Sequence, residues 1–124
     1  MPDEPLQDYL AQAPEAGRSW LEEFWAYVAE RAPGLPPTMF RGVPMFKFAA
    51  SYLQGYVMFT AAKEHFAVHA IDFDLIAAAQ QSIPGAKGGK GSVTVRYAND
   101  AAKPALRQLV DDVLERHGFL ESRS

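Results

Sequence analysis

Hydrophobic positions follow a helical period at both ends of the chain and a period of two through its middle. In RSWLEEFWAYVAERAPG, Trp20, Leu21, Phe24, Trp25 and Val28 form one apolar helical stripe. Ser19 stands where an N-cap would, Glu22 completes a capping box three residues on, and Pro33 and Gly34 end the helix. PLQDYLAQAP reads as a shorter helix stopped by Pro14. After the turn-rich GLPPT, alternation predicts strands near Thr38–Arg41, Met45–Ala50, Leu53–Ala61 and His65–Ile71, joined closely enough to pair antiparallel. DFDLIAAAQQSIPG predicts a helix capped by Asp72 or Asp74 and ended by Pro84 and Gly85. A strand over Ser92–Tyr97 follows. KPALRQLVDDVLERHG is the last helix, with a stripe of Leu106, Leu109, Val110, Val113 and Leu114 and Gly118 at its C′ position.

This order predicts an α+β fold in one domain over residues 1–124. Its core is one mostly antiparallel sheet of about five strands, with the N-terminal and C-terminal helices packed on it. The 124 residues suffice for one modest core, and 48% apolar against 22% charged residues describes a globular chain. A net charge of −3 argues against nucleic acid as a general partner. The charge is uneven: residues 1–35 hold seven acids against Arg18 and Arg31, while residues 36–103 hold seven bases against Glu64, Asp72, Asp74 and Asp100. There is no cysteine, which removes disulfides, thiolate metal sites and cysteine nucleophiles. MPDEPLQDYL has neither a basic start nor an apolar run, and no stretch is apolar enough to span a bilayer. A cytoplasmic protein without membrane contact is the expectation.

The stretch GAKGGKGSVTVRY, Gly85 to Tyr97, is the one place that looks like a ligand loop. A Walker loop requires a glycine five residues before Gly89, where Pro84 stands, and Ser or Thr after Lys90, where Gly91 stands. The next element is a strand, so no helix N-terminus receives a phosphate. The dinucleotide fingerprint fails as well, because Thr94 occupies its third glycine position. What remains is a glycine-rich turn whose amides and two lysines suit an anion-binding nest, or simply a mobile turn.

Four stretches resemble the YdhG-like domain family. RGVPMFKF matches the family's Tyr-Gly-Met-Pro-x-Phe turn at Gly42, Pro44 and Phe46, although Arg41 and Val43 replace its Tyr and Met. MFTAAKEHFAVH matches its Phe, Lys and His pattern at Phe59, Lys63 and His65. KGGKGSVTVRY is similar to its Ser-Lys-Gly loop at Lys90 and Gly91, with Gly89 in the serine position, and Pro104 opens the last helix as in the family. The resemblance covers the chain to about His117. It implies a small α+β domain, and some members are described as frataxin-like iron chaperones while many carry no assigned activity.

Weighed residue by residue, the chemistry points to binding. His65 and His69 share a strand face but stand about 13 Å apart along it, too far for one ion. His117, in a last helical turn, suits the C-terminal carbonyls. No cofactor is implied, and no metal ligand set can be named. Ser51, Ser82 and Ser92 lie in no nucleophile elbow, so no enzyme is expected. Lys47, Arg41, Arg96 and the loop lysines interleave with Phe46, Phe48 and Tyr97 as in a stacking platform, but the phenylalanines suit a core better. The expectation is a non-catalytic binding or interaction module. Its site would form where Gly42, Pro44 and Phe46, then Lys63 and His65, then Lys87, Lys90 and Gly91 converge, with Lys90 turned toward Pro44. The partner would be a small anion or an acidic protein segment. The alternative is a frataxin-like chaperone holding iron on surface carboxylates such as Glu22 and Glu23. The oligomeric state stays open, a homodimer included.

Overall fold

The computed structural model describes residues 4–35, 37–40, 42–49 and 51–119. Helices α1 (Glu4–Gln12) and α2 (Glu15–Arg31) come first. Strands β1 (Thr38–Phe40), β2 (Val43–Lys47), β3 (Tyr56–Ala61) and β4 (His65–Ala70) follow, with a 3-10 turn over Tyr52–Gln54. Helix α3 (Phe73–Ser82), strand β5 (Ser92–Arg96), a 3-10 turn over Asp100–Ala102 and helix α4 (Lys103–Arg116) complete the chain. The sheet has the order β1-β2-β3-β4-β5, every pair antiparallel. The α+β expectation holds. The predicted strand ends Arg41 and Ala50 lie outside the described residues.

Alternation gives the sheet two unlike faces. Phe46, Val57, Phe59, Phe66, Val68, Ala70, Val93 and Val95 point toward the helices and share one buried cluster with Trp20, Leu21, Phe24 and Val28 of α2 and the apolar stripe of α4. Phe24 sits at the centre, its ring 5.5 Å from that of Phe59 and 4.9 Å from that of Phe66. Fully burying such a ring contributes roughly 1.5–3 kcal/mol. The opposite face carries Met58, Thr60, His65, His69, Ser92, Thr94 and Arg96, none of them in the core cluster.

Several local expectations are corrected. Helix α2 begins at Glu15 behind Pro14, so Ser19 lies inside it and forms no cap. Its N-cap position thus lies five residues earlier than expected, and Gly17 in the added turn admits close neighbours: a Cβ there would stand 2.7 Å from Ala61 Cβ and 2.6 Å from Tyr97 Oη. Asp72 occupies the N-cap position of α3 but makes no capping hydrogen bond. Its buried carboxylate instead accepts from Arg116 Nη1 at 3.3 Å and lies 3.1 Å from His117 Nε2. His117, which stacks on Phe48 at 4.6 Å, therefore serves Asp72 and not the helix carbonyls. Arg116 reaches Asp72 and Asp74, not Asp112, which accepts from Gln108. This ties the start of α3 to the end of α4.

The acids of the N-terminal third are partly spoken for. Glu23 binds Lys103 at 3.2 Å and Arg107 at 3.1 Å, and Asp111 of α4 binds Arg31 and Tyr27 of α2. Lys103 also lies over the Trp20 ring at 4.6 Å. These partly exposed pairs align α2 on α4 more than they stabilise the fold.

Two outcomes are expected. Asp72→Ala leaves the His117 ring and an Arg116 donor without their partner, and thermal melts should show a loss of about 1–3 kcal/mol. Asp74 is held down to about 2, chiefly by its hydrogen bond to Arg116. The sign follows from a folded value below the unfolded one. Its contribution is present above the unfolded carboxylate range and disappears as pH falls through about 2. Carboxyl titration by NMR should return Asp74 to the ordinary range in Arg116→Ala.

Candidate functional site

The meander decides which predicted site residues can meet. His65 pairs with Arg96 at one end of the β4–β5 ladder, and His69 pairs with Ser92 at the other. Lys87 bridges to Thr94 from beyond β5, exchanging N–H···O bonds of 2.9 Å in both directions. His65, Gly85, Lys87, Gly88, Thr94 and Arg96 thereby line a recess of about 370 Å³. Of the eight residues expected to converge, His65 and Lys87 share this recess. Lys63 is exposed in the turn between β3 and β4, two residues before His65, and is not among the residues that line the recess.

The other five do not join them. Phe46 is 2% exposed and belongs to the core on the helix-bearing face; Pro44 is buried too. Gly42, with φ +83°, makes the turn between β1 and β2. Strands β2 and β5 are separated by two strands, roughly 14 Å at the usual spacing. Lys90 and Gly91 enter β5 at its opposite end, where the Gly91 carbonyl accepts from Ala70 N–H at 3.1 Å. Lys90 does not turn toward Pro44; its ammonium lies 4.8 Å from the centroid of the Phe73 ring. The physical reason is the antiparallel order. The β1–β2 and β3–β4 turns fall at one end of the sheet, whereas the loop from α3 enters β5 at the other.

The glycine loop is anchored from a neighbouring element. Gln80 of α3 donates to the carbonyls of Gly89 at 2.8 Å and Ser92 at 2.7 Å, and Gly89 N–H donates to Ser92 Oγ at 3.2 Å. Gly88 has φ +126°, and a Cβ there would meet the Ser92 carbonyl oxygen at 2.3 Å. Gly91 has no such φ, but its Cβ would press on Ala70 O at 3.1 Å. The loop's order thus comes from a side-chain amide and close backbone packing.

The recess is donor-rich. Lys87 and Arg96 supply fixed positive charge, Thr94 a hydroxyl and His65 an imidazole. Arg96 also meets Glu64 at 3.7 Å, but both are well exposed, so water and salt weaken that pair. Thr94 and Arg96 were visible in the sequence as the polar half of the Ser92–Arg96 alternation; only strand register puts them beside His65. Among the described residues no three His, Cys, Asp or Glu side chains group as a metal site, and no helix is long and apolar enough to cross a membrane.

The α+β meander with helices on one face is the YdhG-like fold. No family model matches the chain, and no curated protein does. Among solved structures it is similar to the crystal structure of a protein from the DUF1801 family, YdhG of Bacillus subtilis. The TM-score is 0.72 at 19% identity, covering 97% of this chain and 99% of that one. At this identity the likeness speaks for the fold.

Gly88→Val is expected to destabilise the protein by about 1–3 kcal/mol through strain at a positive φ, with the carbonyl clash added. Gly89→Ala, with nothing within 4 Å of its Cβ position, should melt like the parent.

Proposed function

We propose that this protein is a non-catalytic binding module for a small oxyanion or an acidic protein segment, held in the recess of His65, Lys87, Thr94 and Arg96. The observation that carries the reading is the convergence of two cations, a hydroxyl and an imidazole on the face turned away from the helices. Such a set binds by charge-assisted hydrogen bonds. Cationic, hydroxyl and imidazole donors of this kind suit recognition of a negative group. An iron-holding surface of carboxylates draws less support: Glu22 is exposed, but Glu23 is already bound to Lys103 and Arg107.

Phosphate titration followed by amide NMR is the test. Saturable shifts should centre on His65, Gly88 and Thr94. Lys87→Ala and Arg96→Ala should each weaken binding about tenfold, the order of one charged hydrogen bond. Lys90→Ala, at the far end of β5, should change nothing. An absence of saturable shifts, or an equal loss with Lys90→Ala, would overturn the assignment.

A further inference from the structure

The same helix-free face holds a second group of donors, one row along the strands from the recess. Met45 pairs directly with Met58, and Met58 with His69. Directly opposed residues send their side chains to the same face, with Cβ atoms roughly 5 Å apart. Two thioethers and one imidazole therefore stand in line across β2, β3 and β4, with Met58 in the middle. Met45 is 1% exposed, while Met58 and His69 are half-buried, so the row opens to solvent from the Met58 and His69 side.

We propose that Met45, Met58 and His69 form a binding site for a soft monovalent cation, Cu(I). Three features favour that ion. Thioether sulfur prefers soft metals, and in a chain without cysteine the methionines are the sulfur donors available. His69 Nε2 lies 2.8 Å from Thr60 Oγ1. With Nε2–H donating to that hydroxyl, Nδ1 keeps its lone pair, the arrangement in which an outer partner orients a metal-bound histidine. Finally, among the described residues no acidic one projects from the strands on this face; Thr38, Tyr56, Thr60, Ala67 and Ser92 flank the row. An uncharged donor set of two thioethers and an imidazole suits a soft, singly charged ion and disfavours Fe(II), Mg(II) or Ca(II). Site and ion are independent of the anion recess.

The experiment is an anaerobic Cu(I) titration of the full chain in competition with the chelator bicinchoninate, read together with methionine methyl resonances. One equivalent should be withdrawn from the chelator, with the Met45 and Met58 methyl signals and the His69 ring moving together. Met58→Leu, a substitution that keeps volume and fold, should abolish the withdrawal. Thr60→Val should weaken it about tenfold by freeing the imidazole. Met39→Leu, in step with Pro44 and so on the other face of the sheet, should leave it unchanged. Thermal melts of each variant show that the fold survives. The proposal is overturned if no copper leaves the chelator, if Met58→Leu binds as the parent does, or if Met39 alone carries the methyl shifts.

Discussion

Packing of Phe24 between Phe59 and Phe66 is the contact on which the arrangement depends. It presses α2 onto the centre of the sheet, and that choice assigns a role to every strand position. Residues in step with Phe59 and Phe66 become core. Those one position out of step are left on a surface that the helices do not cover. A period of two thus sorts Val57, Val68, Val93 and Val95 from Met58, His69, Ser92 and Thr94 without further instruction. Both donor groups, the cationic recess and the thioether row, lie on the side this packing leaves open.

The edges of the fold are fastened by polar contacts of a different kind. Asp72 joins the N-terminus of α3 to the C-terminal turn of α4 through Arg116 and His117, and Gln80 joins α3 to the loop entering β5. Both replace what local chemistry would otherwise supply, a helix cap in one case and a flexible turn in the other. Because Gln80 pins the loop at Gly89 and Ser92, Lys87 is brought alongside Thr94 and the recess has a defined wall. Gln80 thus fastens the loop whose Gly85, Lys87 and Gly88 line the recess.

Much of the architecture was legible in the residues. The apolar stripes of α2 and α4, the alternation of β3, β4 and β5, and the breaks at Pro14, Pro33 and Pro84 all carry local signals that tertiary packing did not override. The candidate site was legible only in part. His65 and Lys87, expected in one site from the sequence, do line one recess, and Gly88 has the positive φ expected of a glycine in that loop. Phe46 and Pro44 looked like site residues because they lie in a Gly and Pro turn, yet the register turns them into the core. Thr94 carried no signal of its own beyond the strand alternation, and Arg96 looked like part of a stacking platform.

Sequence by itself determined the period of each segment, the absence of thiol chemistry and the side of each strand that must be buried, because these depend on neighbours within one or two turns of chain. Tertiary structure alone decided which loops share an end of the sheet, that Asp72 serves His117 and Arg116 instead of its own helix, and that Met45, Met58 and His69 fall in one row. Those facts turn on strand order and register, where a shift of one residue would exchange the two faces. Partners separated by more than forty residues, such as Asp72 and His117, are brought together by the tertiary arrangement and by nothing local.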